Sequence, residues 1–516
     1  MENGILTVFS TANWILIFVG IYMLAVILIG LFYSRRIKES DDLTVAGRQL
    51  SYVFLVPSII ATWICAGAMM GAAGAAYNFG MQGVIFDPWA PALCMLIIAV
   101  FFAGKMRKAG YTTLTDFFDQ RYNKTMGVLY TIIQILSAIA WLGGQLIALG
   151  IIVHLTTGFP MTIAVILATV AIVIVTAAGG LWALSRVDAI GFVLIIVGLV
   201  ILFPAVLNNV GGFREFVANA GNWAELPAWK MVPVRGEEGY LWYTGILGIL
   251  LYISAWAALS LGDVPSQVLM QRALAAKTQK TAVAGFFTSS ALYLIIGIIP
   301  VMIGMAVFTW GLEITPDQAE YILPWAAHEF LPPWAGVLFI VAIAAAIVST
   351  SGDNSLIVST LIGHNLYRNI KPNATSQQVL RVVRICIPIV TIVAMLIALY
   401  AETLYKLIVF SGGIQLATIS GAYILGHFWK KTNVFGAISS FFAGVVSWVV
   451  FYFVFLPATK EANLDVLAEG EVYMGWAMED AVFLSLVPAA VISVLTLIIV
   501  SLATQKKDPP KVISAA

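Results

Sequence analysis

The stretch IVSTSGDNSLIVST, residues 347–360, sets hydroxyls, an acid and an amide inside an apolar run. WAGVLFIVAIAAA precedes it, and LIGHNLYR follows it into a charged loop. Ala346, Ser349, Thr350 and Asp353 are spaced i, i+3, i+4 and i+7, so on a helix they share one face. Hydroxyl oxygens and a backbone carbonyl are hard ligands that suit an alkali cation, whereas thiolate or imidazole would point to a transition metal. The plainer reading is that Ser349 and Thr350 bond back to their own helix carbonyls. Asp353 argues against it, because a carboxylate within a membrane span is costly and marks function.

That argument holds only if the run lies in a membrane, and the composition places it there. The chain has 516 residues, 61% of them hydrophobic and 10% charged, with mean hydropathy +0.96. A soluble domain carries about 25% charged residues. The net charge of +1 gives no reason to expect a nucleic-acid partner. Cys65, Cys94 and Cys386 are far apart within or beside apolar segments, forming neither a zinc spacing nor a disulfide framework. No HExxH, Walker loop or GxSxG is present, so no catalytic constellation is expected. The first apolar run lacks a preceding basic region and is followed by YSRRIK, which reads as a first transmembrane helix rather than a cleaved leader.

A span needs roughly 20 apolar residues. The hydropathy pattern predicts thirteen, near 12–33, 52–78, 83–104, 126–154, 160–180, 186–206, 241–262, 283–308, 334–364, 380–400, 404–428, 434–456 and 480–503. The second, fourth and ninth are long enough to be tilted or broken. With the N-terminus outside, 22 of the 27 Lys and Arg residues fall on cytoplasmic segments, as the positive-inside rule requires. The loop 207–240 is then extracytoplasmic, with Trp223 and Trp229 at the interface.

The second span carries Gly67, Gly71 and Gly74 within IATWICAGAMMGAAGAAYNFG, and the seventh carries Gly262, Asp263 and Pro265 within WAALSLGDVPSQ. Small residues at this spacing also serve plain helix packing. Matching interruptions five spans apart point instead to a transporter built from inverted repeats, with unwound backbone lining the binding site. Asp87, Asp188 and Asp263 are the other carboxylates near spans. Asp188 beside Arg186 also reads as an interfacial ion pair, and Asp87 as a solvated helix end.

Three stretches carry a family resemblance: GGLWALSRVDAIGFVLIIVGL, PSQVLMQRALAAKTQKTA and, most specifically, AAAIVSTSGDNSLIVSTLIGHNLYR. They resemble the sodium:solute symporter family of proline, pantothenate, sugar, sialic acid and choline transporters, over nearly the whole chain. The resemblance implies an all-α membrane protein of about thirteen transmembrane helices, with a 5+5 inverted-repeat core of the leucine-transporter type. The implied organisation is a first helix and loop (1–50), a first repeat (51–206), an outer loop (207–240), a second repeat (241–428), and two peripheral helices with a tail (429–516).

The resemblance also implies a sodium ion held by carbonyls of Ala61, Ile64 and Ala346 and hydroxyls of Ser349 and Thr350. Asp188 matches an acid that holds a second sodium in some members. The hydroxyls expected opposite it are replaced by Gly352 and Asp353, so Asp188 and Asp353 become a candidate second cation site, for sodium or a proton. ATW at 61–63, AWLGGQLIALG at 140–150 and GDVPSQVLMQR at 262–272 resemble the choline-transporter branch most. Trp63 and Trp141 match its aromatic cage, while Ser266 and a position near Ile408 replace two other cage residues. With Ala68 and Asp263, these complete the expected solute site.

The function expected is sodium-coupled import of a small organic solute with a cationic or zwitterionic nitrogen, an amino acid such as proline or an amine, by a monomer in the plasma membrane. Monocarboxylate, pantothenate or sugar symport is the alternative, and a membrane sensor or channel on the same scaffold is the reading from another class.

Overall fold

The computed structural model describes residues 5, 8–34, 45–220, 228–233, 239–401, 404–466 and 474–511. Trp223 and the basic cluster Arg35, Arg36 and Lys38 lie outside them. Among the described residues the chain is helical with only isolated bridges, such as Leu50 with Ala276. The principal helices are α1 (Ala12–Ser34), α2 (Tyr52–Ala61), α3 (Ala72–Phe79), α4 (Ala90–Ile97), α5 (Lys124–Thr157), α6 (Met161–Asn209), α7 (Gly245–Ser260), α8 (Gln267–Ala275), α9 (Gln279–Thr309), α10 (Pro333–Thr360), α11 (Ser376–Tyr400), α12 (Leu404–Gln415), α13 (Val434–Val466) and α14 (Met474–Thr504).

Among the described residues ten helical runs are long and apolar enough to cross a membrane, and three shorter apolar helices complete the thirteen expected positions. The fifth and sixth expected spans join into one run, the 49-residue α6. A straight helix of that length would extend about 74 Å, against an apolar core of roughly 30 Å. Thr176 and Leu184 of α6 both lie against Gly352 of α10.

The two predicted interruptions are real, and the other long spans are not broken. α2 ends at Ala61, turns through Thr62–Cys65, and resumes as a wide-turned segment, Gly67–Gly71, leading into α3. α7 ends at Ser260, and the chain turns through residues 261–265 before α8 starts at Gln267. The fourth span is one continuous helix, α5. The ninth, α10, continues unbroken into a wide turn at Leu361–Leu366.

Helices break within a bilayer only where protein satisfies the freed backbone groups. At the first break Thr350 donates to the Ala61 carbonyl (2.8 Å), and Gln145 accepts from the Ala66 amide (3.3 Å). At the second, Tyr130 donates to the Pro265 carbonyl (2.9 Å), and Gln134 accepts from the Gln267 amide (2.9 Å). Three of these four side chains belong to α5, which therefore pins both breaks. Packing separates the centre from the rim. The most apolar stretch of α10 is 94% buried, whereas that of α1 is 11% buried and faces outward.

Glycine sets the closest approaches. A Cβ at Gly262 would lie 2.0 Å from the Ala258 carbonyl oxygen and 2.5 Å from that of Gly412, so α7 and α12 touch backbone to backbone. A Cβ at Gly304 of α9 would lie 2.0 Å from the Ala73 carbonyl oxygen of α3. Overpacking of this kind costs about 1–3 kcal/mol. Gly304→Ala should therefore lower the thermal unfolding midpoint of the detergent-purified protein. Gly20→Ala, where nothing lies within 4 Å, should leave it unchanged. Equal midpoints in the two variants would contradict this packing.

Candidate functional site

Two adjacent cavities lie against the first break. The smaller, with about 230 Å³ of empty volume, is lined by Ala61, Ile64, Ala346, Ser349, Asp188 and Gly191, among others. Four of the five expected sodium-binding residues line it, and the fifth, Thr350, bonds to Ala61. The cavity exists because α2 stops at Ala61, which leaves carbonyls at Ala61 and Ile64 outside a regular ladder. α10 brings Ala346 and Ser349 to the opposite wall.

Asp188 of α6 joins this cavity. Ser349 donates a hydrogen bond to its Oδ1, and Ser58 of α2 donates to its Oδ2 (2.7 Å). Asp188 is 2% exposed, so it is not the solvated interfacial residue that its neighbour Arg186 suggested. The expected Asp188–Asp353 cation site is changed by the structure. Asp353 pairs with Arg272 of α8, whose guanidinium is already its counter-charge. Although it lies one helical turn beyond Thr350, Asp353 does not line the cavity.

The larger cavity has about 320 Å³ of empty volume. Four of the five expected solute residues line it: Trp63, Trp141, Asp263 and Ser266. Ala68 does not; it is buried in the Gly67–Gly71 segment. The Trp63 and Trp141 rings are 6.0 Å apart and tilted by 39°, and Tyr293 meets Trp63 edge-on at 6.1 Å. Nε1 of Trp141 is buried with no hydrogen-bond partner.

Sequence reasoning missed the amides. Gln415 donates to Oδ1 of Asp263 and to Ser137 (3.0 Å), and its Oε1 accepts from Gln134 (2.7 Å). Gln134, Ser137, Asn354 and Ser411 line the same cavity. The signal was present: Gln134, Ser137 and Trp141 are spaced i, i+3 and i+7, and Gln415 interrupts SGGIQLATIS. From the eleventh span, Ser411 reaches the cavity. Ile408 instead packs where side chains at Gly67 and Gly144 would go. Asp87 is a buried acid, not a solvated helix end; it is 3% exposed and accepts from Tyr293 (2.6 Å).

Residues 44–444 match the sodium:solute symporter family. The chain is 26% identical over 452 residues to High-affinity choline transporter 1 of Caenorhabditis elegans, covering 82% of this chain and 75% of that one. It is also 26% identical over 477 residues to the Sodium/glucose cotransporter of Vibrio parahaemolyticus, covering 85% and 84%. Among solved structures, the substrate-bound outward-open state of a Na+-coupled sialic acid symporter matches with TM-score 0.72 and 19% identity, over 95% of this chain and 98% of that one. MhsT in complex with L-phenylalanine matches with TM-score 0.50 and 12% identity, over 87% and 99%. Those likenesses are of fold. The family match covers most of the chain, and the two helix breaks and the cavities beside them agree with it: this protein belongs to the sodium:solute symporter family, as a multi-pass membrane transporter that moves a small solute coupled to sodium.

Proposed function

We propose that the coupling sodium is held by the carbonyls of Ala61, Ile64 and Ala346 and the hydroxyls of Ser349 and Thr350, with Asp188 supplying the balancing charge. The observation that carries this reading is the shared small cavity between the broken helix and α10, with one buried carboxylate at its wall. Hard oxygens around an uncompensated acid suit an alkali cation. Downhill movement of one charge is worth about 2.3 kcal/mol per 100 mV, or about 50-fold accumulation.

The solute is a small organic molecule with a positive nitrogen. Two indole faces and the acid Asp263 meet in one cavity, and a cation over an aromatic face gains about 0.5–2 kcal/mol. Choline, the solute named for the Caenorhabditis elegans relative, is in the same chemical class. Ser266, Gln134, Ser137 and Ser411 surround the acid with hydrogen-bonding groups, which favours an amino acid or a primary or secondary amine over a trimethylammonium head. Those amides and hydroxyls would also serve a sugar, the solute named for the Vibrio relative. The solute enters the cell across the plasma membrane of a chain whose N-terminus is outside, as the charge bias of the loops supports.

Thr350→Ala should raise the sodium concentration for half-maximal uptake by about tenfold without a matching loss of expressed protein; unchanged sodium dependence would remove the assignment. In sodium, purified protein should gain thermal stability from amines or amino acids, and Trp141→Leu should weaken that response by about 2- to 30-fold in concentration. Stabilisation by a neutral sugar or a plain monocarboxylate, with none from any amine or amino acid, would overturn the solute class.

A further inference from the structure

The pair Arg272–Asp353 has features of a charge device rather than of a packing contact. Arg272 is fully buried and Asp353 is 2% exposed. They meet through one nitrogen and one oxygen, Nη2 and Oδ2. Nη1 of the guanidinium donates to the Val268 carbonyl of its own helix (3.1 Å), and its Nε has no partner. Oδ1 of Asp353 has none either. A buried ion pair with unsatisfied atoms on both sides costs stability compared with apolar residues of the same volume. It needs another reason to be there.

Its position supplies one. Asp353 stands three and four residues beyond Thr350 and Ser349 on α10, and Ser349 donates a hydrogen bond to Asp188, so the pair sits one helical turn from that acid's partner. Two carboxylates so near each other in a poorly solvated place need positive charge. The chain provides part of that charge itself, on the inner half of the broken seventh span. We propose that the Arg272 guanidinium is a tethered cation that fills the place of a second coupling ion, so that a single mobile sodium, balanced by Asp188, drives each transport cycle. A guanidinium stays charged under all physiological conditions and cannot leave with the solute. Its charge is therefore present in every state of the site but never released to the other side.

The idea rests on the sodium site proposed above, and the two fail differently. Binding of radioactive sodium to the purified full-length protein is the probe. The wild-type chain should bind a single ion, without cooperativity. Asp353→Asn releases the guanidinium to compete for Asp188 and should weaken sodium binding about tenfold. Arg272→Gln leaves Asp353 uncompensated and should recruit a second, saturable sodium ion. The neutral pair Arg272→Gln with Asp353→Asn should return to a single ion, with affinity within about threefold of wild type. A packing role alone predicts no change in ion number and no rescue in the double variant. Two ions on the wild-type chain overturn the proposal, and that count decides it even where a single variant does not fold. Folded Arg272→Gln protein that still binds one ion with unchanged affinity overturns it as well. Absence of any saturable sodium binding to wild type would instead remove the underlying site.

Discussion

The structure depends on what happens to the backbone between Ala61 and Cys65. In a bilayer a helix can stop at mid-depth only if its exposed carbonyls and amides find partners. Here the partners are Thr350 and Gln145, from two other helices. The consequence for function lies in the alternation of the turn. Ala61 and Ile64 line the smaller cavity, whereas Thr62 and Trp63 line the larger. Four consecutive residues thus form walls of both sites. With the proposed sites, a cation that orders this turn would also set the position of Trp63, and a solute on Trp63 would act back on the carbonyls. Coupling of this kind is reciprocal by thermodynamic necessity.

The architecture was legible because apolar length and small-residue interruptions are local signals. The span positions follow from hydropathy, and the breaks from Gly67, Gly262 and Pro265. The resemblance to a symporter family then indicated which carbonyls and hydroxyls to place together, and Ala61, Ile64, Ala346 and Ser349 do meet in one cavity. What was not legible depended on partners distant in sequence. Asp353 shares a helix face with the hydroxyls, and the resemblance paired it with Asp188 in a candidate second cation site. Its partner Arg272 lies 81 residues away, on a helix whose rotation the sequence does not fix. The amide cluster of Gln134 and Gln415 spans 281 residues. An amide in an apolar run is a weaker signal than a carboxylate, because its burial costs less. Ala68 follows the unwound turn by only three residues, yet the wide-turned segment keeps it out of the pocket.

Buried charge in this core is sorted by the kind of partner each acid has. Asp353 has a fixed cation. Asp188 has two serine hydroxyls and a cavity. Asp263 has the Gln415 amide and a cavity lined by two indoles. An acid held only by neutral donors in such a place is poised to take a mobile cation, whereas one held by a guanidinium is not. Under the proposed sites, the same distinction separates the ion that is transported from the charge that stays with the protein.

A transporter must also let its ligands go, and the contacts of the smaller cavity suit that requirement. The Thr350 hydroxyl donates to the Ala61 carbonyl, and both are proposed ligands of the same ion. A sodium ion on the carbonyl oxygen and the hydroxyl oxygen draws on the same lone pairs and weakens that hydrogen bond. Binding therefore exchanges a hydrogen bond, worth about 1 kcal/mol net, for ion contacts, and release restores it. Ser349 makes the same exchange at Asp188. Because the protein keeps internal partners for these groups, no ligand oxygen of the pair is left bare when the ion departs. That lowers the cost of the ion-free state relative to a site of unsatisfied carbonyls, and the balance then shifts by the differential affinity of the ion or solute for the two states.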